Sequence, residues 1–179
     1  MKPIKNYNNT PASGDFERLP AGGYVIKITT VKDEDEKQYL RIVYDIAEGP
    51  EAGRYKNESS ENDYRHSFVR SYKETALGMF KAFILAVDAS NGTKFNERIE
   101  KGFPEHELVG KLLGVVFGYE EYETNAGDVK ERLRVANIMP VDRIRQGEFK
   151  IPELKKLKAS SEIPMPSGFV PVADDDSPF

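Results

Sequence analysis

Tyr64-Arg65-His66-Ser67-Phe68-Val69-Arg70-Ser71-Tyr72-Lys73-Glu74 is the stretch in which the chain changes from one hydrophobic period to another. Its first part alternates with a period of two and predicts a strand over residues 64–70. Tyr64, His66, Phe68, Arg70 and, on extension, Tyr72 share one side of it, with Arg65, Ser67, Val69 and Ser71 on the other. Ser71-Tyr72-Lys73-Glu74 then has the spacing of a capping box, in which a hydroxyl and a carboxylate satisfy the first free N–H groups of a helix. The helix it opens carries Leu77, Phe80, Phe83, Ile84 and Val87 on one stripe and runs out near Ser90-Asn91-Gly92.

Two more strands are predicted upstream. After the turn Pro20-Ala21-Gly22-Gly23, residues 24–31 alternate, with Tyr24, Ile26 and Ile28 on one face and Val25, Lys27, Thr29 and Val31 on the other. An acidic turn, Asp33-Glu34-Asp35-Glu36, leads into a second strand over residues 38–48, with Leu40, Ile42, Tyr44 and Ile46 inward and Tyr39, Arg41, Val43 and Asp45 outward. Residues 49–63 form a polar loop. Downstream of the helix, residues 91–107 are a loop and residues 108–119 a strongly apolar fourth strand that Gly114 and Gly118 are expected to bend. A polar ribbon extends that strand to Glu123. Asn125-Ala126-Gly127-Asp128 is a hairpin turn and residues 129–138 a fifth strand, followed by a short helix over residues 141–146. Three strands, a helix and two strands is the order of a five-stranded OB-fold-like Greek-key barrel with a helix between strands 3 and 4, a mainly β, α+β class.

Composition narrows the chemistry. The 179 residues include no cysteine, which excludes disulfides and thiolate metal sites. His66 and His106 are the only imidazoles and stand far apart in sequence, so neither a catalytic zinc site nor any other cofactor is expected, although carboxylates suit Mg²⁺. No apolar run approaches a membrane span and the first residues lack the apolar core of a signal peptide, so the expectation is a cytoplasmic protein without a membrane partner. The net charge of −4 gathers at one end. Residues 161–179 contain Glu162, Asp174, Asp175 and Asp176 and no cation, and without them the acidic residues only equal the 26 basic ones. Any affinity for nucleic acid must therefore come from a local groove rather than from overall charge.

Such a groove has candidates. Binders of single strands pair a cationic track with aromatic rings on which bases stack. An OB-fold presents strands 2 and 3, together with the loops joining strands 1–2 and 4–5, to its ligand. The DNA-contact candidates are Lys27, Tyr39 and Arg41 from the first two strands, Arg65, His66, Phe68, Arg70 and Tyr72 from the third, and Tyr119, Tyr122, Lys130, Arg132 and Arg134 from the last hairpin. A core role for Phe68 competes with a stacking role, since a barrel needs large residues inside. No paired-strand Asp and Glu-x-Lys arrangement and no nucleophile with an adjacent base is present, which disfavours a metal-dependent nuclease and catalysis in general.

The C-terminal residues Ala173-Asp174-Asp175-Asp176-Ser177-Pro178-Phe179 resemble the Asp-Asp-Asp-x-Pro-Phe tip of bacterial single-stranded DNA-binding proteins. That resemblance implies recruitment of replication, recombination or repair enzymes through Asp174, Asp175, Asp176, Pro178 and Phe179. Phe179 places an apolar ring and a free carboxylate on one residue, which suits an apolar pocket rimmed by Arg or Lys. Residues 1–157 resemble a phage replication-module family through Leu19-Pro20-Ala21-Gly22-Gly23-Tyr24, Arg65-His66-Ser67-Phe68-Val69-Arg70-Ser71-Tyr72-Lys73 and Leu108-Val109-Gly110-Lys111. Some members of that family are described as single-stranded-DNA-binding. The expected organisation is an N-terminal arm (1–19), a binding domain (20–149), a Pro-rich linker (150–172) and an acidic, flexible partner-binding tip (173–179). The expected function is non-enzymatic coating of single-stranded DNA. A recombination-mediator or interaction protein without tight DNA binding is the alternative, and homo-oligomerisation is left open.

Overall fold

A computed structural model describes residues 2–3 and 18–157. Five antiparallel strands form one sheet: β1 (Gly22–Glu34), β2 (Tyr39–Ile46), β3 (Ser67–Ser71), β4 (Leu112–Glu123) and β5 (Val129–Met139). Helix α1 (Leu77–Asn91) lies between β3 and β4 in sequence, and α2 (Val141–Arg145) follows β5. The strand order is β3-β2-β1-β4-β5, which leaves β3 and β5 as the edges of an open sheet. The expected mainly β class with its helix between the third and fourth strands is therefore present. The acidic tip lies outside the described residues.

The alternation read from the sequence builds the main core, with one departure. Ile26, Ile28, Ile42, Tyr44, Phe68, Leu113, Val115 and Phe117 face Phe83, Ile84 and Val87 of α1 and are all buried. The departure is Val31. The β1–β2 register slips between Ile28 and Thr30, so a bulge carries Val31 to the core side instead of leaving it opposite Ile28. A second cluster forms on the other face, where Val25 and Val116 meet Met139, Val141 and Ile144, with Phe149 packed against them. α1 packs against β3, β4 and β5, and thus near both edges of the sheet.

Several expected boundaries move. Residues 64–66 belong to a 3-10 turn, Ser60–His66, so β3 is shorter than its alternation suggests. The capping box does not form. Ser71 is still in β3, where its hydroxyl donates to the Gln38 carbonyl (3.1 Å) and accepts from Lys73 N–H (3.2 Å), and α1 starts six residues later after a separate turn at Glu74–Ala76. The helix ends where expected, with Gly92 in the left-handed region at φ 63°. Gly114 and Gly118 each serve a close approach. A Cβ on Gly114 would come within 2.7 Å of the Met139 carbonyl oxygen, and one on Gly118 within 2.4 Å of the Pro152 ring.

Two ends of the expected domain are more tightly held than the arm and linker reading allows. Leu19 is 4% exposed and its carbonyl accepts a hydrogen bond from the Tyr119 hydroxyl at 2.7 Å. Residues 149–157 lie along the sheet. Phe149 packs at Gly23 and Pro152 at Gly118, and Lys155 exchanges backbone hydrogen bonds with Tyr119 (3.0 Å) and Glu121 (2.9 Å) in a parallel bridge. Pro152 lacks an N–H but needs none here, because the bridge forms three residues later.

Candidate nucleic-acid interface

The sheet face turned away from the main core carries polar residues where β1, β2 and β3 adjoin. Arg41 stands between Lys32 of β1 and Val69 of β3, and Tyr39 between Glu34 and Ser71. The Arg41 guanidinium lies 5.9 Å from the centre of the Tyr39 ring, and its Nη2 donates to the Tyr39 hydroxyl at 3.4 Å. Lys27 is exposed farther along β1, opposite Asp45. Asp45 itself accepts the backbone N–H groups of Ile46 (2.8 Å) and Tyr55 (2.9 Å). Neither Lys27, Lys32 nor Arg41 has an ion-pair partner among the described residues.

At the free edge of β3, Arg70 lies 5.0 Å from the centre of the Phe68 ring and donates to the Val69 carbonyl at 3.1 Å. Burial draws its guanidinium below the ordinary value, and no carboxylate pairs with it among the described residues. Arg65 sits 5.6 Å from the centre of the Tyr64 ring, with its Nε donating to the Tyr64 hydroxyl at 3.1 Å. Tyr64 is 63% exposed. Three arginines near one edge of the sheet thus each lie against an aromatic ring.

Phe68 and His66 are corrections to the stacking candidates. Phe68 is 8% exposed and packs among Tyr44 and Phe83. Its outer flank is already taken by Arg70, so no base can lie on it. His66 is 5% exposed, stacked on Tyr55 at 4.6 Å between Glu58 and Asp63, each 3.7 Å from one of its ring nitrogens. Phe68 points inward on the core face of β3, opposite Ile42, and His66 is buried at the end of the 3-10 turn that precedes the strand. Tyr72 keeps the expected side, with Phe68, but is packed against the core there. Its ring meets Phe80, and its hydroxyl donates to Asp33 at 2.8 Å with Asp35 at 3.3 Å. Burial, followed by the two carboxylates, raises the Tyr72 phenol far above its usual range.

The last hairpin gathers its cations on one carboxylate. Glu120 accepts from Arg132 at 2.8 Å, and Arg134 (3.7 Å) and Lys155 (3.5 Å) approach its other oxygen. Burial pushes the Glu120 carboxyl up, but the Arg132 hydrogen bond and the charges of Arg132 and Lys155 outweigh it and hold the group below its ordinary range. Arg132 also lies 5.3 Å from the Tyr122 ring centre, and Lys130, beside Tyr122 in the ladder, is exposed without an ion pair among the described residues. Tyr119 faces the opposite way. It lines a cleft of about 370 Å³ with Arg18, Tyr55, Glu58, Arg65 and Leu133.

The thirteen DNA-contact candidates therefore separate. Lys27, Tyr39 and Arg41 lie on the outer face, Arg65 and Arg70 near the β3 edge, and Tyr122, Lys130, Arg132 and Arg134 on the hairpin. His66 and Phe68 are core residues, while Tyr72 and Tyr119 belong to other clefts. Lys32 and Tyr64 stand beside these candidates without having been among them. Lys32 is brought beside Arg41 only by the bulge in β1, which one-strand alternation does not reveal, whereas Tyr64 was already on the aromatic stripe. The tip residues Asp174, Asp175, Asp176, Pro178 and Phe179 lie outside the described residues.

Residues 5–128 match the family described as Protein of unknown function (DUF669). The chain belongs to that family. The DUF669 match takes in β1 through β4 and ends in the turn before β5, so the outer-face and β3-edge arginines lie within it and the β5 cations beyond it. A comparison with curated proteins gave no match. Among the described residues no helix is long and apolar enough to cross a membrane, and no group of three or more His, Asp or Glu is placed to hold a metal ion.

Proposed function

We propose that this DUF669 protein is a non-enzymatic single-stranded DNA-binding protein of a phage or prophage replication or recombination module, with an OB-fold-like domain that holds the strand and a C-terminal tip that recruits partner enzymes. The observation that carries the reading is that Arg41 and Arg70, on adjacent strands, each lie against an aromatic ring and have no carboxylate partner among the described residues. A cation that is partly withdrawn from water without a counter-charge costs free energy, and an arriving phosphate offsets that cost. Tyr39 beside Arg41 and Tyr64 beside Arg65 supply stacking faces. The strand order supports the OB-fold reading, since β3-β2-β1-β4-β5 is the order that rolls into such a barrel when β3 approaches β5, with α1 beneath the gap.

Anisotropy titration of a labelled oligo-dT strand at two salt concentrations tests this. Binding that weakens as salt rises is expected, because phosphate contacts release counterions. An absence of binding at low salt refutes the proposal.

A further inference from the structure

The seam between the two sheet edges contains a site that single-strand coating alone does not require. The cleft of about 370 Å³ is walled on one side by Tyr119, Glu131 and Leu133 of the β4–β5 hairpin and on the other by Arg54, Tyr55, Glu58 and Arg65 of the segment before β3. Arg18 spans its mouth to Glu131 at 3.5 Å. The volume is at the small end of ligand sites, which suits a nucleobase rather than a larger cofactor. Glu58 lines it with a side chain that is 26% exposed; its Oε2 is buried 3.7 Å from His66 Nδ1, and neither atom has a hydrogen-bond partner among the described residues. A buried carboxylate oxygen with no donor leaves a strong acceptor unsatisfied. Tyr55 is held rigid by its stack on His66, and Tyr119 by its hydrogen bond to Leu19, so the aromatic walls are fixed before any ligand arrives.

We infer that this seam is a base pocket that takes one amino-bearing nucleobase from the bound strand, with guanine preferred. The inference rests on the single-strand reading above. Guanine presents adjacent N1–H and N2–H donors to a carboxylate. Cytosine and adenine offer one amino group each, and thymine sets its single N3–H between two carbonyl oxygens that the same charge repels. The base lies between the tyrosines with Leu133 at its edge, and Arg65 at the rim takes its phosphate. The protein then coats strands of any sequence through the outer face and gains affinity wherever a guanine can turn into the seam.

The test compares full-length protein binding to labelled oligo-dT and to a strand of equal length with single guanines spaced among the thymines. The guanine-bearing strand should bind at least about fivefold tighter, the low end for one well-made base contact. Glu58→Gln should bring the two affinities together without weakening oligo-dT binding. Should Glu58→Gln melt early, Leu133→Trp, which fills the cleft from the opposite wall, reports the same loss. Competition by free dGMP against dTMP needs no variant, and dGMP should compete better. If the wild type binds neither strand, the single-strand reading itself fails. Equal binding of both strands with no difference between the nucleotides, or a guanine preference that survives Glu58→Gln, overturns the pocket alone.

Discussion

Phe68 and Tyr39 show how two aromatic residues with similar sequence credentials acquire opposite roles. Both stand on strands beside an arginine, but Phe68 pairs across the ladder with Ile42 and faces the core, while Tyr39 pairs with Ser71 on the outer side. Phe68→Ala should therefore cost about 3–5 kcal/mol of stability, the range for emptying an aromatic core site, measured by denaturant melting. Tyr39→Ala should leave the melt nearly unchanged and weaken single-strand binding by about 1–3 kcal/mol, the worth of one stacked base. Its failure to do so, with Arg41→Ala also neutral, would remove the outer face from the interface. The period-two pattern of residues 64–72 placed Phe68 and Arg70 on one side correctly. It misplaced Tyr64 and Arg65, because a 3-10 turn rotates them out of register, and turns of that kind leave no periodic mark.

At the scale of an element, the β4–β5 hairpin behaves as a charge cluster organised by Glu120. The carboxyl titrates lower in the folded protein than the unfolded value of about 4.3, so its contribution is fully present above that pH and is lost as pH falls through the folded value. The melting temperature of the wild type should fall more between pH 5 and pH 3 than that of Glu120→Gln, and parallel pH profiles would refute the assignment. The same variant releases Arg132, Arg134 and Lys155. Single-strand affinity at low salt should rise, and the dependence on salt should steepen. Both arginines of β5 were legible in the sequence, but their shared partner was not. Glu120 reads as one more exposed acid in a polar ribbon until the hairpin register sets it opposite Arg132 and the chain returns to bring Lys155 alongside. Gly118→Val, which drives a branched side chain into Pro152, should loosen that return and raise protease sensitivity near residue 155 while leaving the β1–β2 hairpin intact.

Over the whole molecule, the strand-and-helix order was legible because each element has a strong period and a clear stop. The packing of the ends was not, since Leu19 and Pro152 sit in stretches whose composition reads as arm and linker and are held only by distant partners. The charge asymmetry between body and C-terminus belongs to this scale too. Asp174, Asp175 and Asp176 resemble phosphate in charge, and under the proposed function a tether would let them compete with the strand for the arginines. Deleting residues 173–179 should raise single-strand affinity at low salt and less so at high salt, where the competition is screened. Removing Phe179 alone keeps the three charges, so DNA affinity should hardly move while partner enzymes are lost from pull-downs with host lysate. Identical partner sets would show that the tip only solubilises.

Helix and sheet are also joined by a single side chain. Asn91, the last residue of α1, donates to the Leu112 carbonyl and accepts from the Leu112 N–H, both at 2.9 Å, and so copies the pair of bonds that a neighbouring strand would make. Its Nδ2 reaches the Val87 carbonyl as well, at 2.7 Å. The first amide of β4 should therefore exchange with solvent at the rate set by helix unfolding rather than by fraying of the strand end. In Asn91→Asp a carboxylate oxygen would face both carbonyls, and the Leu112 amide should lose its protection together with those of the last helical turn, converting one cooperative unit into two that open separately.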